Sequence, residues 1–373
     1  MSDTALEAIS SLVDQFGTAK ASDIHITEDR GVYQVKDKQT REIQNFPHSG
    51  ASLIQALLEK VVPGGKGALE KTGQADASFD EGGAFRGRLT LRKEQGGLSG
   101  TMRIISRDIP TTAALGLPKA VINLIGRPSG LVLIVGQTGS GKSTTIAAMN
   151  NLVNMSRESS IHTLESPIEY LYPRGKSLVV QREVGVHVSS FASGIENAKR
   201  SHPRIIVVGE ILNAETARSA LLAAGSGHLV VSTMHAGTTA EAVDSFTSMF
   251  SPEEQGLIRT QLAQSLLAIV AQNLIPKQGG GMALAQEIAF NTPTFADLLR
   301  GSGNRSNDTK YIQQLLLGSG GKADGMVAME EALAVLVKTE QISVASGYSH
   351  ARDRKAFDEK LTQHGVAPVA QAA

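Results

Sequence analysis

Eight consecutive residues, Gly136-Gln137-Thr138-Gly139-Ser140-Gly141-Lys142-Ser143, fit the pattern G-x-x-x-x-G-K-[ST]. The chemistry of that pattern is phosphate binding. Its glycines let backbone N–H groups converge on phosphate oxygens, and a helix starting there adds partial positive charge. Lys142 has the reach and charge for β- and γ-phosphates, and the Ser143 hydroxyl can ligate Mg²⁺. Gly136, Thr138, Gly139, Ser140, Gly141, Lys142, Ser143 and Thr144 are therefore the candidate nucleotide contacts. An ordinary Gly/Ser-rich loop is the competing reading, and the flanks argue against it. Residues 131–135 are an apolar, β-branched run of the kind found in buried strands. Residues 144–149 can continue as a helix.

A phosphate loop that hydrolyses its ligand also needs a carboxylate near the metal and a group that positions water. Residues 204–210, Arg-Ile-Ile-Val-Val-Gly-Glu, form an apolar strand ending on Glu210. That placement puts a carboxylate at the C-terminal edge of the sheet, where doubly wound folds bind ligands, so Glu210 is a candidate metal ligand beside Ser143. A second strand end, Thr163-Leu164-Glu165-Ser166-Pro167-Ile168-Glu169-Tyr170, carries two carboxylates. Glu165 is the favoured general base because it stands where the apolar run stops. Glu169 is either a second candidate or a solvated loop charge. A third strand, 229–232, is bracketed by His228 and His235. His235 belongs at its C-terminal end near a γ-phosphate, and His228 is the lesser candidate for a nucleotide contact. No further ligands show spacing suited to a histidine metal site.

These residues need a scaffold. Apolar strands at 131–135, 160–164, 205–208 and 229–232 alternate with helices, which predicts a parallel, doubly wound α/β sheet. Before them, residues 1–106 read as a smaller α+β domain with mostly antiparallel strands. Its first helix is expected from Leu6, Ile9, Leu12, Val13 and Phe16. Strands follow at 22–27, 31–35, 85–92 and 100–105, with a helix at 52–62 closed by Pro63-Gly64-Gly65. Residues 107–118, rich in turn formers, read as the inter-domain linker. The phosphate-binding α/β domain is expected over 119–365 and a loose tail over 366–373. Residues 301–307 and 318–325 read as Gly/Ser-rich loops, and Ser251-Pro252-Glu253-Glu254 as a capped helix start.

Composition narrows the class. The chain has 373 residues, with 36 Lys and Arg against 36 Asp and Glu. That balance argues against a chain built to hold nucleic acid, as do the absence of Trp and a 4% aromatic content. Without Cys there are no disulfides and no Cys-based zinc sites, which is consistent with a cytoplasmic location. Residues 1–20 mix acidic, polar and apolar positions, so no signal peptide is expected. The most apolar helical stretch is expected at 262–275, and Gln264, Gln272 and Asn273 interrupt it. Direct membrane insertion is therefore not expected.

Together and in this order, the motifs resemble those of the secretion ATPases of type II secretion, type IV secretion and type IV pili. They are a P-loop at 136–143, an "Asp box" at 163–169, a Walker B strand at 204–210 and a "His box" at 227–235. Within that group the chain is most similar to the pilus retraction ATPases (PilT-type). Ala21-Ser22-Asp23-Ile24-His25-Ile26 matches their N-terminal signature. Val180-Gln181-Arg182-Glu183-Val184 matches a segment after their Asp box. Thr292-Pro293-Thr294-Phe295-Ala296-Asp297-Leu298-Leu299-Arg300 resembles their C-terminal motif, with Ala296 and Asp297 in place of Arg-Asn. Absent cysteines also fit, because many extension and type II ATPases carry a four-Cys zinc insertion.

The resemblance implies a PAS-like N-terminal domain, a RecA-like motor domain and a cytoplasmic homo-hexamer. It implies ATP and Mg²⁺ as cofactors and an inner-membrane platform protein as partner. The expected function is ATP-driven pilus retraction or a related type IV or IVB secretion step. The rival expectations are a nucleotide-binding accessory hexamer with little turnover, a pilus assembly or type II secretion ATPase, and a nucleic-acid translocase. ATP would lie between the two domains, with Arg86 and Arg103 clamping its phosphates. Without the resemblance these two would read as surface arginines on strands. Three departures from the family pattern stand out: Ser166 where an Asp is usual, His202-Pro203-Arg204 for Asp-Pro-Asp, and Ile211-Leu212-Asn213 for Met-Arg-Asp.

Overall fold

The computed structural model describes residues 7, 9–12, 21, 23–36, 39–60, 62, 65–81, 85–105, 108–301 and 309–368. Of the expected first helix, Ile9 and Leu12 fall within them and are buried; Leu6, Val13 and Phe16 lie outside. Outside too lie Ser22, Pro63, Gly64, Arg107, 302–307 of the expected Gly/Ser loop and 369–373 of the tail. The chain divides into two compact units, Met1–Asp108 and Ile109–Ala373.

The first unit is a six-stranded antiparallel sheet in the order β3-β2-β1-β6-β5-β4. The strands are β1 (Asp23–Thr27), β2 (Gly31–Lys36), β3 (Gln39–Glu42), β4 (Gln74–Glu81), β5 (Phe85–Glu94) and β6 (Gly97–Ile105). Alternation decides the faces. Ile24 pairs with Met102, which pairs with Leu89, and all three are fully buried. Leu53, Ile54 and Leu57 of helix Gly50–Lys60 pack against them. Gly50 has a steric reason: a Cβ there would meet the Thr27 carbonyl oxygen at 1.9 Å. On the opposite face, His25 Nδ1 lies 3.1 Å from Thr101 Oγ1, and Arg103 Nε donates to Asp23 Oδ1 at 2.7 Å.

The second unit carries a seven-stranded sheet in the order β13-β12-β7-β11-β10-β8-β9. Its strands are β7 (Gly130–Val135), β8 (Ser160–Glu165), β9 (Leu178–Glu183), β10 (Ile205–Val208), β11 (Leu229–Met234), β12 (Leu266–Pro276) and β13 (Met282–Phe290). All neighbours are parallel except the β12–β13 hairpin. Along β7, Leu131, Leu133 and Val135 feed one hydrophobic cluster, and Val132 and Ile134 feed another. Both faces of the sheet are thus covered, which is why its central strands read as unbroken apolar runs. This is the expected α/β architecture, with its smaller α+β unit before it in the chain. Thr112 and Leu117, within the stretch read as linker, are buried.

Two expectations fail. The Gly/Ser-rich loop expected at 318–325 holds a short helix, Ser319–Ala323. The stretch 262–275 is not one helix. Helix Pro252–Ser265 stops at Ser265, and Leu266 turns to extended backbone and starts β12. From there Ala268 and Val270 face one cluster while Ile269 and Ala271 face the other. Pairing with β7 overrides the local helical pattern. A satellite cluster lies beyond, where helices Met329–Lys338 and Arg354–Gln363 pack on β12 and β13 through Leu333, Phe357 and Leu361. Val366 packs against the same cluster. Among the described residues, no helix is long and apolar enough to cross a membrane.

Candidate functional site

Val135 ends β7, and the chain turns through the glycine loop into helix Lys142–Ser156. The turn depends on its glycines. Gly141 caps the helix in the left-handed region at φ 86°, and Gly139 has φ 77°. A Cβ on Gly136 would stand 2.4 Å from Ser140 Oγ and 2.6 Å from the Gln272 carbonyl oxygen. Gln272 on β12 also donates from Nε2 to the Ser140 carbonyl at 2.9 Å. The hairpin that sequence periodicity misread is therefore what holds the loop.

Lys142 turns its ammonium back onto this loop, donating to the carbonyls of Gly136 (2.7 Å) and Gln137 (3.1 Å). Burial pulls its pKa below the usual lysine value, and the carboxylates of Glu210 and Glu169 oppose that pull. Gln137, Thr138, Gly139 and Ser143 are exposed, while the Ser140 hydroxyl is buried without a partner in the structure. Thr144 Oγ1 lies 2.9 Å from the Tyr170 hydroxyl, which ties the first turn of the helix to the loop after β8.

That loop is tightly held. Glu165 Oε1 accepts from Thr163 Oγ1 (2.6 Å) and Gln181 Nε2 (3.2 Å). Burial pushes the Glu165 carboxyl above its ordinary range, and these hydrogen bonds only partly offset it. Gln181, on β9, does more. It donates to the Tyr170 carbonyl at 2.7 Å and accepts from the Tyr172 backbone at 3.1 Å. Two residues on, Glu183 Oε2 accepts from the Ile168 backbone at 3.1 Å. Burial and the Glu165 charge push the Tyr172 phenol up, so it stays protonated at neutral pH. The Ser166–Pro167 peptide is cis.

Glu210 follows β10 and His235 follows β11. The His235 Nε2 to Glu210 Oε2 distance is 2.7 Å. The strand ends are cross-tied around them. Gly209 N–H donates to the Leu164 carbonyl (2.7 Å), and its own carbonyl accepts from Thr233 Oγ1 (2.7 Å). A Cβ on Gly209 would stand 3.1 Å from the Leu164 carbonyl oxygen, a tight contact that the backbone relieves only by shifting a few tenths of an ångström.

Lys142, Ser143, Glu165, Glu210 and His235 thus share the C-terminal edge of one sheet. His228 does not join them. It precedes β11, and its carbonyl accepts from Gly130 N–H at the start of β7. It stands seven residues before His235, about 23 Å along the strand at ~3.3 Å per residue. Its Nδ1 lies 3.3 Å from the Ala223 carbonyl. In a parallel sheet the residue before a strand lies on the opposite edge from the residue after it, a signal the sequence already carried. His202 and Arg204 lie on that far edge too. With His228 they line a cavity of about 540 Å³ that shares no residue with the P-loop. Arg204 donates there to the carbonyls of Gly126 (3.0 Å) and Arg127 (3.1 Å).

The other departures also have local roles. Ile211 is buried, and Asn213 caps helix Ala214–Gly225 by accepting from Thr216 N–H at 2.9 Å. In helix Pro293–Arg300, Phe295, Ala296 and Leu299 are buried while Asp297 pairs with Arg300. In the first unit, Arg103 is exposed and paired with Asp23, and Arg86 lies on β5 in register with Asp80 and Ile105.

Residues 105–363 match the family model described as type II/IV secretion system protein. The chain belongs to that family. This secretion-family chain is 34% identical over 324 residues to the type IV pilus retraction ATPase PilT of Pseudomonas aeruginosa, covering 87% of this chain and 92% of that one. It is 36% identical over 282 residues to the uncharacterized protein YggR of Escherichia coli, covering 75% and 85%. Its structure is similar to a crystal structure of the pilus retraction motor PilT with bound ADP, at TM-score 0.80 and 33% identity over 93% of this chain and 98% of that one. The likeness to pilus retraction ATPases expected from the motifs is therefore found in both sequence and structure.

Gln181, Tyr170, Thr163 and Gln272 hold the site in ways that their residue types do not announce. Gln181 stands within the motif at 180–184, but glutamine carries no chemistry of its own to flag it. Its importance is that one amide side chain reaches three groups of the loop.

Proposed function

We propose that this secretion-family chain is a Mg²⁺-dependent ATPase motor of a type IV pilus, or of a related secretion machine, acting in filament retraction. The observation that carries this reading is the convergence of Lys142, Glu165, Glu210 and His235 on one sheet edge. Similarity to PilT over most of the chain supports it independently.

Each residue has a task that its surroundings favour. The loop 136–141 presents backbone N–H groups to phosphate, and Lys142 leaves its two carbonyls for the β- and γ-phosphates. Ser143, exposed at the helix start, and Glu210 fit a Mg²⁺ that takes its other ligands from phosphate and water. When bound, that ion neutralises charge on the transferring phosphoryl. Glu165, desolvated and hydrogen-bonded, takes the proton from the attacking water. His235, held by Glu210, reads the γ-phosphate. Arg86 and Arg103 are the phosphate clamp in this reading, since guanidinium groups stabilise charge on a transferring phosphoryl.

The working form is a cytoplasmic homo-hexamer that transmits force to an inner-membrane platform protein and does not enter the bilayer itself. The accessory-subunit reading rests on the departures at 166, 202–204 and 211–213. Its support is weakened because Arg204 and Asn213 have structural partners and His202 lines the far edge, away from the phosphate loop. Steady-state hydrolysis of Mg-ATP separates the two. A motor turns over; an accessory subunit binds ATP without measurable hydrolysis.

A further inference from the structure

The segment after His235 is pinned by a group outside the nucleotide site. Arg352 lies between helices Val344–His350 and Arg354–Gln363, in the C-terminal helical cluster. Its Nη1 donates to Glu287 Oε2 at 2.6 Å, and its Nη2 donates to the Gly237 carbonyl, two residues past His235. Glu287, on β13, is buried. Its other oxygen accepts from the Thr239 backbone (2.7 Å) and from Thr239 Oγ1 (2.8 Å). Gly237 N–H donates in turn to Glu241 Oε2 at 2.7 Å. Glu330, also buried, fixes Arg352 from the far side by accepting from the backbone N–H groups of Arg352 and Asp353, each at 3.2 Å.

A buried carboxylate with an arginine fork is costly to break once formed, because the remaining charge is left desolvated. Here the fork has one prong on Glu287 and one on the backbone next to His235. Displacement of the C-terminal helices would therefore be felt at residues 236–239, and so at the imidazole seated 2.7 Å from Glu210.

We propose that Arg352 is a positioning residue for hydrolysis: it fixes the 236–239 turn, and through it His235, to the C-terminal helices. This rests on the ATPase reading above, in which His235 faces the γ-phosphate.

A double-mutant cycle on kcat tests it, using the full chain with Arg352→Ala, His235→Ala and the pair. Arg352→Ala is expected to lower kcat about tenfold while the Kd for ATP changes by less than about twofold. In the His235→Ala background the same change is expected to have less than about twofold further effect. Equal losses in both backgrounds, or an unchanged kcat, would overturn the proposal. If Arg352→Ala does not fold, the cycle is run with Arg352→Lys, which keeps the charge but not the planar fork; the same two outcomes decide it. Wild-type kcat in His235→Ala would instead sink the role given to His235, leaving the two failures distinguishable.

Discussion

Glu210 and His235, 25 residues apart, meet at 2.7 Å across the ends of adjacent strands β10 and β11. The contact follows from register: Val208 pairs with Ser232, so the residues that leave the two strands emerge side by side. Ser232 and Thr233 reinforce it by donating to the carbonyls of Val208 and Gly209. His235→Gln should retain an amide in reach of Glu210 and keep ATP binding within about twofold, while kcat falls about 10²-fold. Single-turnover hydrolysis together with equilibrium binding checks this, and unchanged kcat would remove His235 from the site.

Glu165 offers a test with two signs. Its carboxyl pKa is raised in the folded chain by burial, so the folded state holds the proton more tightly than the unfolded state does. The stability from that proton is fully present below the unfolded value and is lost as pH rises through the folded value. At neutral pH the ionised side chain therefore destabilises the fold. Glu165→Gln should stop turnover and raise the unfolding midpoint by about 2–4 °C, with ATP binding retained. Turnover by the wild type should fall as pH drops through the raised pKa, because protonation removes the base. Unchanged turnover in Glu165→Gln would move the base to Glu169 or Glu210.

Gln181 holds the 165–172 loop at three points. Gln181→Ala is expected to lower kcat about tenfold with little change in ATP affinity, since the loop carries the base rather than the phosphate cradle. A change confined to affinity would contradict that division.

Gly50→Ala tests the first unit. A Cβ at this position overlaps the Thr27 carbonyl, a backbone atom with no rotamer to yield. The expected cost is about 2 kcal/mol, seen by calorimetry as a lower midpoint for the full chain. An unchanged midpoint would mean that the helix start shifts freely.

The chemistry was legible where residue type and strand edge agree. Gly136 to Ser143, Glu165, Glu210 and His235 each follow an apolar strand, and that order alone places them on one edge. His228 breaks the rule because it precedes its strand; a histidine beside a core strand is not enough without asking which end it occupies. The central strands β7, β8, β10 and β11 announce themselves because both their faces are buried. Strand β4, Gln-Ala-Asp-Ala-Ser-Phe-Asp-Glu, is fainter: it alternates polar and apolar as an edge strand does, but two of its three apolar positions are alanines. In β12, Leu266 to Ala271 carry no turn residue after helix Pro252–Ser265, so only pairing with β7 shows where the helix ends. Networks such as Arg352–Glu287–Thr239 join residues more than a hundred positions apart and leave no local pattern.

The central claim is that one sheet edge, anchored on Lys142, hydrolyses ATP. Steady-state Mg-ATP turnover of the wild-type chain beside Lys142→Ala tests it most directly. The wild type should hydrolyse ATP only with the divalent cation present, and Lys142→Ala should fall at least about 10²-fold. A variant that keeps wild-type turnover, or a wild type that binds ATP and never hydrolyses it, would contradict the account.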